Sequence, residues 1–269
     1  VKDDSMHLTS LQNPRVKQVV KLRDRRERDQ SGLFIIEGFR ELLRAIDAER
    51  SIETLFICPE LFLGTNENSL INRILKSGAA VFTCSEGVFR KLSYRDRPDG
   101  LLAIAPQMHL ALDAIKPKSP AFYVVAEAIE KPGNLGTILR SSDASGIDAL
   151  IVCDRCTDIH NPNVVRASVG TLFTVPVVEA EGKETLQWLK NNEISILAAT
   201  PSASHLYTEV DMTVPIAIVV GTEQLGLSKL WMDHADIQVR IPMLGVADSL
   251  NVATATTLLL YEALRQRQR

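Results

Sequence analysis

The chain has 269 residues, 45% hydrophobic and 23% charged, with a net charge of −3. That length supports one large or two medium domains with a full core, and the composition is that of an ordinary globular protein. No apolar run approaches the roughly 20 residues of a membrane span, and the N-terminus VKDDSMHLTS has no signal-peptide core, so a cytoplasmic protein without membrane contact is expected. The net charge argues against a protein held on nucleic acid by bulk electrostatics, but the charge is uneven. Residues 1–120 carry 19 Lys and Arg against 16 Asp and Glu, and the remainder carries 11 against 17. The basic excess concentrates in PRVKQVVKLRDRRER, Pro14–Arg28, with seven basic and two acidic residues. A basic module joined to an acidic one suits a division between nucleic-acid capture and chemistry, and a solvated helix face with charge pairs is the alternative.

In chain order, residues 14–28 read as one helix, with Val16, Val19, Val20 and Leu22 on one side. SGLFIIEG is a short apolar strand, FRELLRAIDAE a helix, IETLFICP a strand and NSLINRILKSG a helix ending at Gly78. AAVFTCS and GLLAIAPQ are further strands, and the alternation predicts an α/β module over residues 1–107. HLALDAIKPKSP, with two prolines and no strong period, reads as a linker, placed at residues 108–120. The pattern then restarts over residues 121–269. AFYVVAEAI, DALIVC, TLFTVPVV, ISILAAT, PIAIVVG and IQVRIPM are short continuous apolar runs. Helices at NLGTILRSSDASG (closed by Gly146), TLQWLKNN and Val252–Arg267 alternate with them. Such runs predict a largely parallel sheet covered on both faces, in which ligands sit beyond the carboxyl ends of the strands.

The four cysteines are Cys58, Cys84, Cys153 and Cys156, the last two spelling C-D-R-C. No second Cys or His pair at suitable spacing follows, and the motif sits after a strand rather than at a helix start, so reduced thiols and no metal are expected.

Three loops follow three strands. In EKPGNLGTILRSSDASG, Pro132-Gly133 turns the chain, Asn134 is a candidate helix cap, and Arg140 lies about one helical turn beyond Gly136. An Asn at a helix start beside a guanidinium suits a phosphate or ribose, and a capped helix with a surface arginine is the plainer reading. In VVGTEQLGLSKLW, Gly221 ends a strand where a flat ligand can approach the backbone, with Glu223 beside it as an acceptor. In IPMLGVADSLN, Gly245 turns the chain and Ser249 is a candidate cap for the last helix, whose Thr254–Thr257 run is small. None of the three offers a His or Cys nucleophile, and neither G-x-G-x-x-G nor a P-loop is present. Such a site suits binding a reactive cofactor better than covalent catalysis.

Together and in this order the loops resemble the motifs of the SpoU (TrmH-type) RNA ribose 2′-O-methyltransferases. The matches are N-L-G-x-x-x-R at Asn134–Arg140, G-T-E-x-x-G-L-S at Gly221–Ser228, and I-P-M-x-G-x-x-x-S-L-N-V-A at Ile241–Ala253. T-S-x-x-N-P at Thr9–Pro14 and F-I-I-E-G at Phe34–Gly38 resemble the substrate-binding domain common in this group, akin to a ribosomal-protein RNA-binding fold. Ala253 and Thr222 depart from the Ser and Asn that are frequent in the family.

The resemblance implies a SPOUT-type fold, in which a trefoil-knotted, largely parallel sheet with helices on both faces follows the smaller α/β RNA-binding domain. It implies a homodimer binding S-adenosylmethionine, which methylates a ribose 2′-hydroxyl of structured RNA, with ribosomal RNA favoured over transfer RNA. A non-catalytic dimeric RNA-binding protein is the alternative. The implied cofactor contacts are Thr200, Gly221, Ile241, Met243, Leu250 and Asn251. The implied catalytic residues are Arg140, Asn134, Glu223, Ser249 and Asn251. Arginine stays protonated in proteins, so Arg140 is expected to orient the hydroxyl and stabilise alkoxide charge rather than act as a base. Arg15, Lys17, Arg23, Arg25, Arg26 and Arg28 are the expected phosphate contacts of the first domain, joined by Arg140.

Overall fold

The structure is a computed structural model that describes residues 7–154, 157–222 and 225–268. It divides into two compact units, Val1–Met108 with Asp158–Thr174, and His109–Thr157 with Val175–Arg269. No helix among the described residues is long and apolar enough to cross a membrane.

The first unit is built on a five-stranded mixed sheet in the order β1-β4-β3-β5-β2. Its strands are β1 (His7–Leu8), β2 (Leu33–Glu37), β3 (Thr54–Ile57), β4 (Ala80–Cys84) and β5 (Leu101–Pro106). Its helices are α1 (Pro14–Lys21), α2 (Arg25–Ser31), α3 (Phe39–Asp47), α4 (Glu67–Lys76), α5 (Glu86–Leu92) and, from the later segment, α7 (Pro162–Ser168). The T-S-x-x-N-P stretch is a helix start: Asn13 Oδ1 accepts the Arg15 N–H at 2.9 Å and Pro14 takes the first helical position. The single helix expected over residues 14–28 is two. Asp24 accepts the Arg26 N–H at 2.7 Å and caps a new helix, and Gly32 closes it in the left-handed conformation with φ 68°. A mid-helix aspartate offering its own cap competes with the helical ladder, and buried Leu22 anchors the break.

The second unit carries a seven-stranded sheet, in the order β10-β12-β9-β11-β6-β7-β8, in which every pairing is parallel. The strands are β6 (Phe122–Glu127), β7 (Ala149–Cys153), β8 (Val177–Ala180), β9 (Ser195–Ala199), β10 (His205–Leu206), β11 (Ile216–Val220) and β12 (Ile237–Arg240). The helices are α6 (Pro132–Ser145), α8 (Gly182–Asn191), α9 (Lys229–His234) and α10 (Val252–Arg267). Every residue of β6, β7 and β11 is buried, so neither face of the central sheet meets solvent, as their unbroken apolar runs require. Tyr123 and Trp188 meet edge to face in this core, with centroids 5.5 Å apart. The run TLFTVPVV is not one strand: Thr171–Phe173 is a 3₁₀ turn and β8 begins only at Val177, after the ring of Pro176 has removed a donor.

Chain order and spatial order part company in this sheet. β11 inserts between β6 and β9, and β12 lies on the far side of β9. The chain then crosses back so that α10 packs on α6 and β11. Ser141 on α6 and Thr257 on α10 share a hydrogen bond of 2.6 Å across that contact. Thr256 and Thr257 also return their hydroxyls to the Val252 and Ala253 carbonyls. The small Thr254–Thr257 run thus packs closely without leaving buried hydroxyls unpaired.

Candidate functional site

β12, β9 and β11 are adjacent and parallel, and their carboxyl ends open into one cavity of about 410 Å³. The end of β9 and the residues after it supply Ala199, Thr200 and Ser202; the end of β11 and the residue after it supply Val220 and Gly221; the segment after β12 supplies Ile241, Met243, Ser249 and Leu250. This is where a parallel sheet places a ligand, because successive loops diverge there and leave a crevice.

Each loop is held by backbone bonds. The Thr200 N–H donates to the Val239 carbonyl at 2.9 Å, which ties the end of β9 to β12. Gly226 N–H donates to the Thr222 carbonyl at 3.0 Å, and Leu225 N–H donates to Thr222 Oγ1 at 3.0 Å, so the loop folds back on the end of β11. Buried Glu127, at the end of β6, accepts the Ser228 N–H at 2.7 Å and fixes the far side of this loop. Gly221 is required by space: a Cβ there would stand 2.6 Å from the Gly226 carbonyl oxygen, which is backbone and cannot swing aside. Thr222 thus acts as the pin of a tight turn, a structural role for one of the two positions that depart from the family pattern.

The helix starts differ from those expected. Ser249 lines the cavity and is exposed, whereas Asn251 caps α10, with Oδ1 accepting the Ala253 N–H at 3.0 Å and the Thr254 N–H at 3.4 Å. Asn251 can do this because its Cα–Cβ bond precedes the first helical residue by one position, where a side-chain oxygen reaches the free N–H groups. Asn134 does not cap α6, which already begins at Pro132 behind Lys131; it sits in the first turn. Its Oδ1 accepts a hydrogen bond from Asn251 Nδ2 at 3.1 Å, joining the first and third motifs directly.

Asn134 lines a small recess of about 60 Å³ that shares Thr222, Leu225 and Val252 with the large cavity, so the two are neighbours. Arg140 lies six residues further along α6, displaced about 9 Å along the helix and about 240° around it. It is exposed and lines neither of these cavities, so within one chain the guanidinium does not stand beside Asn134. Glu223 lies outside the described residues, as does Cys156.

The cavity meets the needs of a nucleoside-sized molecule with a charged tail. Ile241, Leu250 and Val220 offer apolar surface, Gly221 borders the cavity without a side chain, and Asp248 is the one carboxylate among the described lining residues. S-adenosylmethionine, with its adenine ring and ammonium group, fits that donor set. Asp248, Leu225 and Ser202 are lining residues that sequence reasoning did not single out. Leu225 and Asp248 fall on unspecified positions inside the second and third motifs, and Ser202 lies past the end of β9 outside any of them. Among the described residues no group of three or more His, Cys, Asp or Glu could hold a metal. Burial pushes the Cys153 thiol up to about 12, which makes it a poor nucleophile and a poor metal ligand.

Of the basic residues expected on RNA, Lys17, Arg25 and Arg26 are exposed, with Arg25 facing Asp29 at 3.5 Å. Arg15 lies over the Phe82 ring, 4.3 Å from its centroid, and Arg23 donates to the Lys91 and Ser93 carbonyls at 2.7 Å. Arg28 is a correction: it is 1% exposed, pairs with Asp158 at 2.6 Å and donates to the Leu22 carbonyl at 2.9 Å. Its charge is spent inside the first unit, where it locks the α1–α2 break to the Asp158 segment.

A parallel sheet with a cofactor-sized cavity at the ends of three strands, next to an Asn–Asn bridge between two helix starts, defines a nucleotide-cofactor enzyme fold without a phosphate loop. Comparison with known proteins specifies it. The SpoU rRNA Methylase family model matches residues 121–261, and a model described as the MRM3-like substrate binding domain matches residues 13–103. A 23S rRNA (uridine(2479)-2′-O)-methyltransferase of Streptomyces viridochromogenes is 30% identical over 91% of this chain and 87% of its own. A crystal structure of an RNA 2′-O ribose methyltransferase is 41% identical, covering 98% of this chain and 100% of that one, with a TM-score of 0.87. An AdoMet-bound rRNA methyltransferase from Sinorhizobium meliloti is 32% identical, covering 96% and 97%, with a TM-score of 0.89. The chain belongs to the SpoU rRNA Methylase family. Its second unit has the SPOUT-type knotted fold, and its α10 packs on α6 and β11.

Proposed function

We propose that this protein methylates a ribose 2′-hydroxyl of 23S-type ribosomal RNA, using S-adenosylmethionine, and that it does so as a homodimer in the cytoplasm. The observation that carries this reading is the cavity at the ends of β9, β11 and β12, lined by Thr200, Gly221, Ile241, Met243 and Leu250 and adjoined by the Asn134–Asn251 bridge. When bound there, the cofactor supplies an electrophilic methyl group. The protein's part is to bring a hydroxyl to that group in line and to manage its proton.

In this reading Asn134 and Asn251, fixed against each other, hold the ribose-phosphate at the cavity mouth. Ser249, exposed at the cavity wall, extends the network to the hydroxyl. Arg140 stabilises the developing alkoxide and the adjacent phosphate, with Glu223 steering it. A guanidinium stays protonated, so the hydroxyl proton leaves to a phosphate oxygen or water.

The homodimer is supported by apolar surface in the second unit. Leu258 and Tyr261, three residues apart on α10 and therefore on one face, are 38% and 48% exposed; Leu244 and Val246 are fully open. A second copy would also give Arg140 a cavity to face, since it lines neither cavity described in its own chain.

The test is transfer from methyl-labelled S-adenosylmethionine to total RNA of cells lacking the gene, followed by alkaline hydrolysis. A 2′-O-methyl group blocks cleavage of the next bond, so label in an alkali-resistant dinucleotide from large-subunit RNA is the expected outcome. Label confined to transfer RNA overturns the substrate, and label on a base overturns the 2′-O assignment. Sedimentation of the protein checks the dimer.

A further inference from the structure

The first unit holds a cleft of about 790 Å³, larger than the cofactor cavity and lined by no residue of the basic α1–α2 stretch. The start of α3, the loop after β3, the loop after α5 and α7 form it. Its floor is a built network. The F-I-I-E-G motif ends β2 with Glu37, whose buried carboxyl accepts from the Ser93 hydroxyl and, at 2.8 Å, from the Tyr94 N–H. Arg95 donates to the Glu37 carbonyl at 2.6 Å and pairs with Glu41 at 2.6 Å. Gly38, with φ 112°, lies in the left-handed region that favours glycine, and its bare Cα lets the Arg95 guanidinium approach closely. Asp99 accepts the Phe39 N–H at 2.8 Å, and Glu67 accepts the Gly64 N–H at 2.7 Å.

The charges of the cleft therefore separate by role. Glu41, Glu67 and Asp99 are turned to backbone or to Arg95 and hold the walls, and Asp96 is the one exposed carboxylate of the lining. Arg40, Arg97 and Arg166 are exposed on the rim, and their guanidinium groups make no ion pair or hydrogen bond among the described residues. They are far apart in sequence and converge only through the fold. Three unengaged guanidinium groups around one cleft match a chain of phosphates, to which arginine binds in bidentate geometry. Phe39 and the 82% exposed Leu63 line the same cleft and offer apolar surface to a base. Stacked duplex bases are unavailable to such a surface, whereas those of loops and bulges are available.

We infer that this cleft, rather than the α1–α2 surface, is the main RNA-capture site of the chain. Arg40, Arg97 and Arg166 contact the phosphates of an unpaired segment whose base enters beside Phe39. The inference rests on the reading that the substrate is ribosomal RNA.

The test uses the full-length protein and an unmodified 23S rRNA transcript. The variant Arg40→Gln/Arg97→Gln/Arg166→Gln is compared with Lys17→Gln/Arg25→Gln/Arg26→Gln. Each phosphate contact to a single strand contributes about 0.7 to the slope of log K against log salt, so the cleft variant should flatten that slope by about 2 and weaken binding at least tenfold. The α1–α2 variant should change the slope by less than about 1. Thermal midpoint and S-adenosylmethionine affinity should stay at wild-type values in both, because all six side chains are exposed. An unstructured single-stranded competitor should displace the transcript better than a duplex of equal length. A cleft variant that binds with wild-type affinity and slope, in a protein whose wild type methylates the transcript, overturns the inference. A duplex competing equally well overturns the unpaired-segment part of it. A wild type that neither binds nor methylates the transcript overturns the ribosomal-RNA reading itself.

Discussion

The cavity beyond β9, β11 and β12 and the cleft of the first unit are lined in opposite ways. Among the described residues around the cavity, Asp248 is the only charged side chain, and the walls are backbone, small residues and aliphatic groups. The cleft is lined by four arginines, Arg40, Arg95, Arg97 and Arg166, and four carboxylates, Glu41, Glu67, Asp96 and Asp99. Backbone walls suit a molecule of fixed size and shape, because their positions are set by sheet and turn hydrogen bonds and cannot be retuned by rotamer changes. Long cationic side chains suit a polyanion whose local path varies, because they adapt while keeping their charge. The contrast separates a rigid site for a small reactant from an adaptable site for a large one.

The largest effect expected from breaking this division falls on Arg140, a charge that belongs to neither cavity. Arg140→Ala should lower the turnover number about 10²- to 10³-fold, the usual cost of removing one group that stabilises developing negative charge. Cofactor affinity should move by less than about twofold, because a transition-state contact contributes little to ground-state binding. A matched loss of cofactor binding would mean that Arg140 shapes the cavity, and calorimetric titration separates the two. Next is Gly221→Ala. The new Cβ meets the Gly226 carbonyl oxygen at 2.6 Å, so the turn must move and the cavity wall with it. Overpacking of this kind costs about 1–3 kcal/mol, which predicts roughly tenfold weaker cofactor binding with RNA affinity unchanged. Parallel loss of RNA binding would show that the two sites are not independent.

Much of the second unit was legible because its signals are local and repetitive. The bounds of the last helix, Val252–Arg267, and the apolar runs of β6, β7, β9 and β11 follow from period and composition alone. Two of the loops that form the cavity were legible for a related reason: those after β11 and β12 directly follow a strand and carry their own glycine, whereas the loop after β9 carries none. What failed was decided by tertiary partners. Arg28 belongs to a basic run, yet its distant partner Asp158 draws it inside. Asp24 looked like one charge in a helix until its capping bond made it a boundary. Ser249 and Asn251 are both competent caps, and only the path of the chain into α10 selects the second. Arg40, Arg97 and Arg166 sit in three segments that share no motif, so a charge count over any window of sequence passes over them. The sequence showed where positive charge is dense, and the fold decides where it is free.

Smaller effects sharpen the contrast within the second unit. Asn251→Ala removes the cap of α10 and the bridge to Asn134. Loss of the cap costs about 1 kcal/mol. For a unit of this size that lowers the thermal midpoint by about 2–4 °C. Asn251→Asp keeps the cap oxygen and gains a favourable charge at the helix start, so its midpoint should stay near wild type while the donor to Asn134 is lost. If methyl transfer falls equally in both variants, the bridge rather than helix stability is what activity requires; if only the alanine variant suffers, the bridge is dispensable.

The smallest expected change is that of cofactor affinity with salt. Three phosphate contacts to a single-stranded segment predict roughly a 20-fold loss of RNA affinity when salt rises fourfold, since each contact releases a counterion. A cavity walled by backbone and aliphatic groups, with Asp248 as its one described charge, has no such ions to release. Cofactor affinity over the same range should therefore change by less than about twofold, because screening acts on charges exposed to solvent and barely on a hydrogen-bonded, partly enclosed ligand. The two titrations use one protein in one buffer series, so aggregation or partial unfolding would shift both together. Cofactor binding that weakened as steeply as RNA binding would mean that charged side chains carry it, and the division between a backbone-walled cavity and an arginine-rimmed cleft would be wrong in the half for which the fold gives the stronger reason.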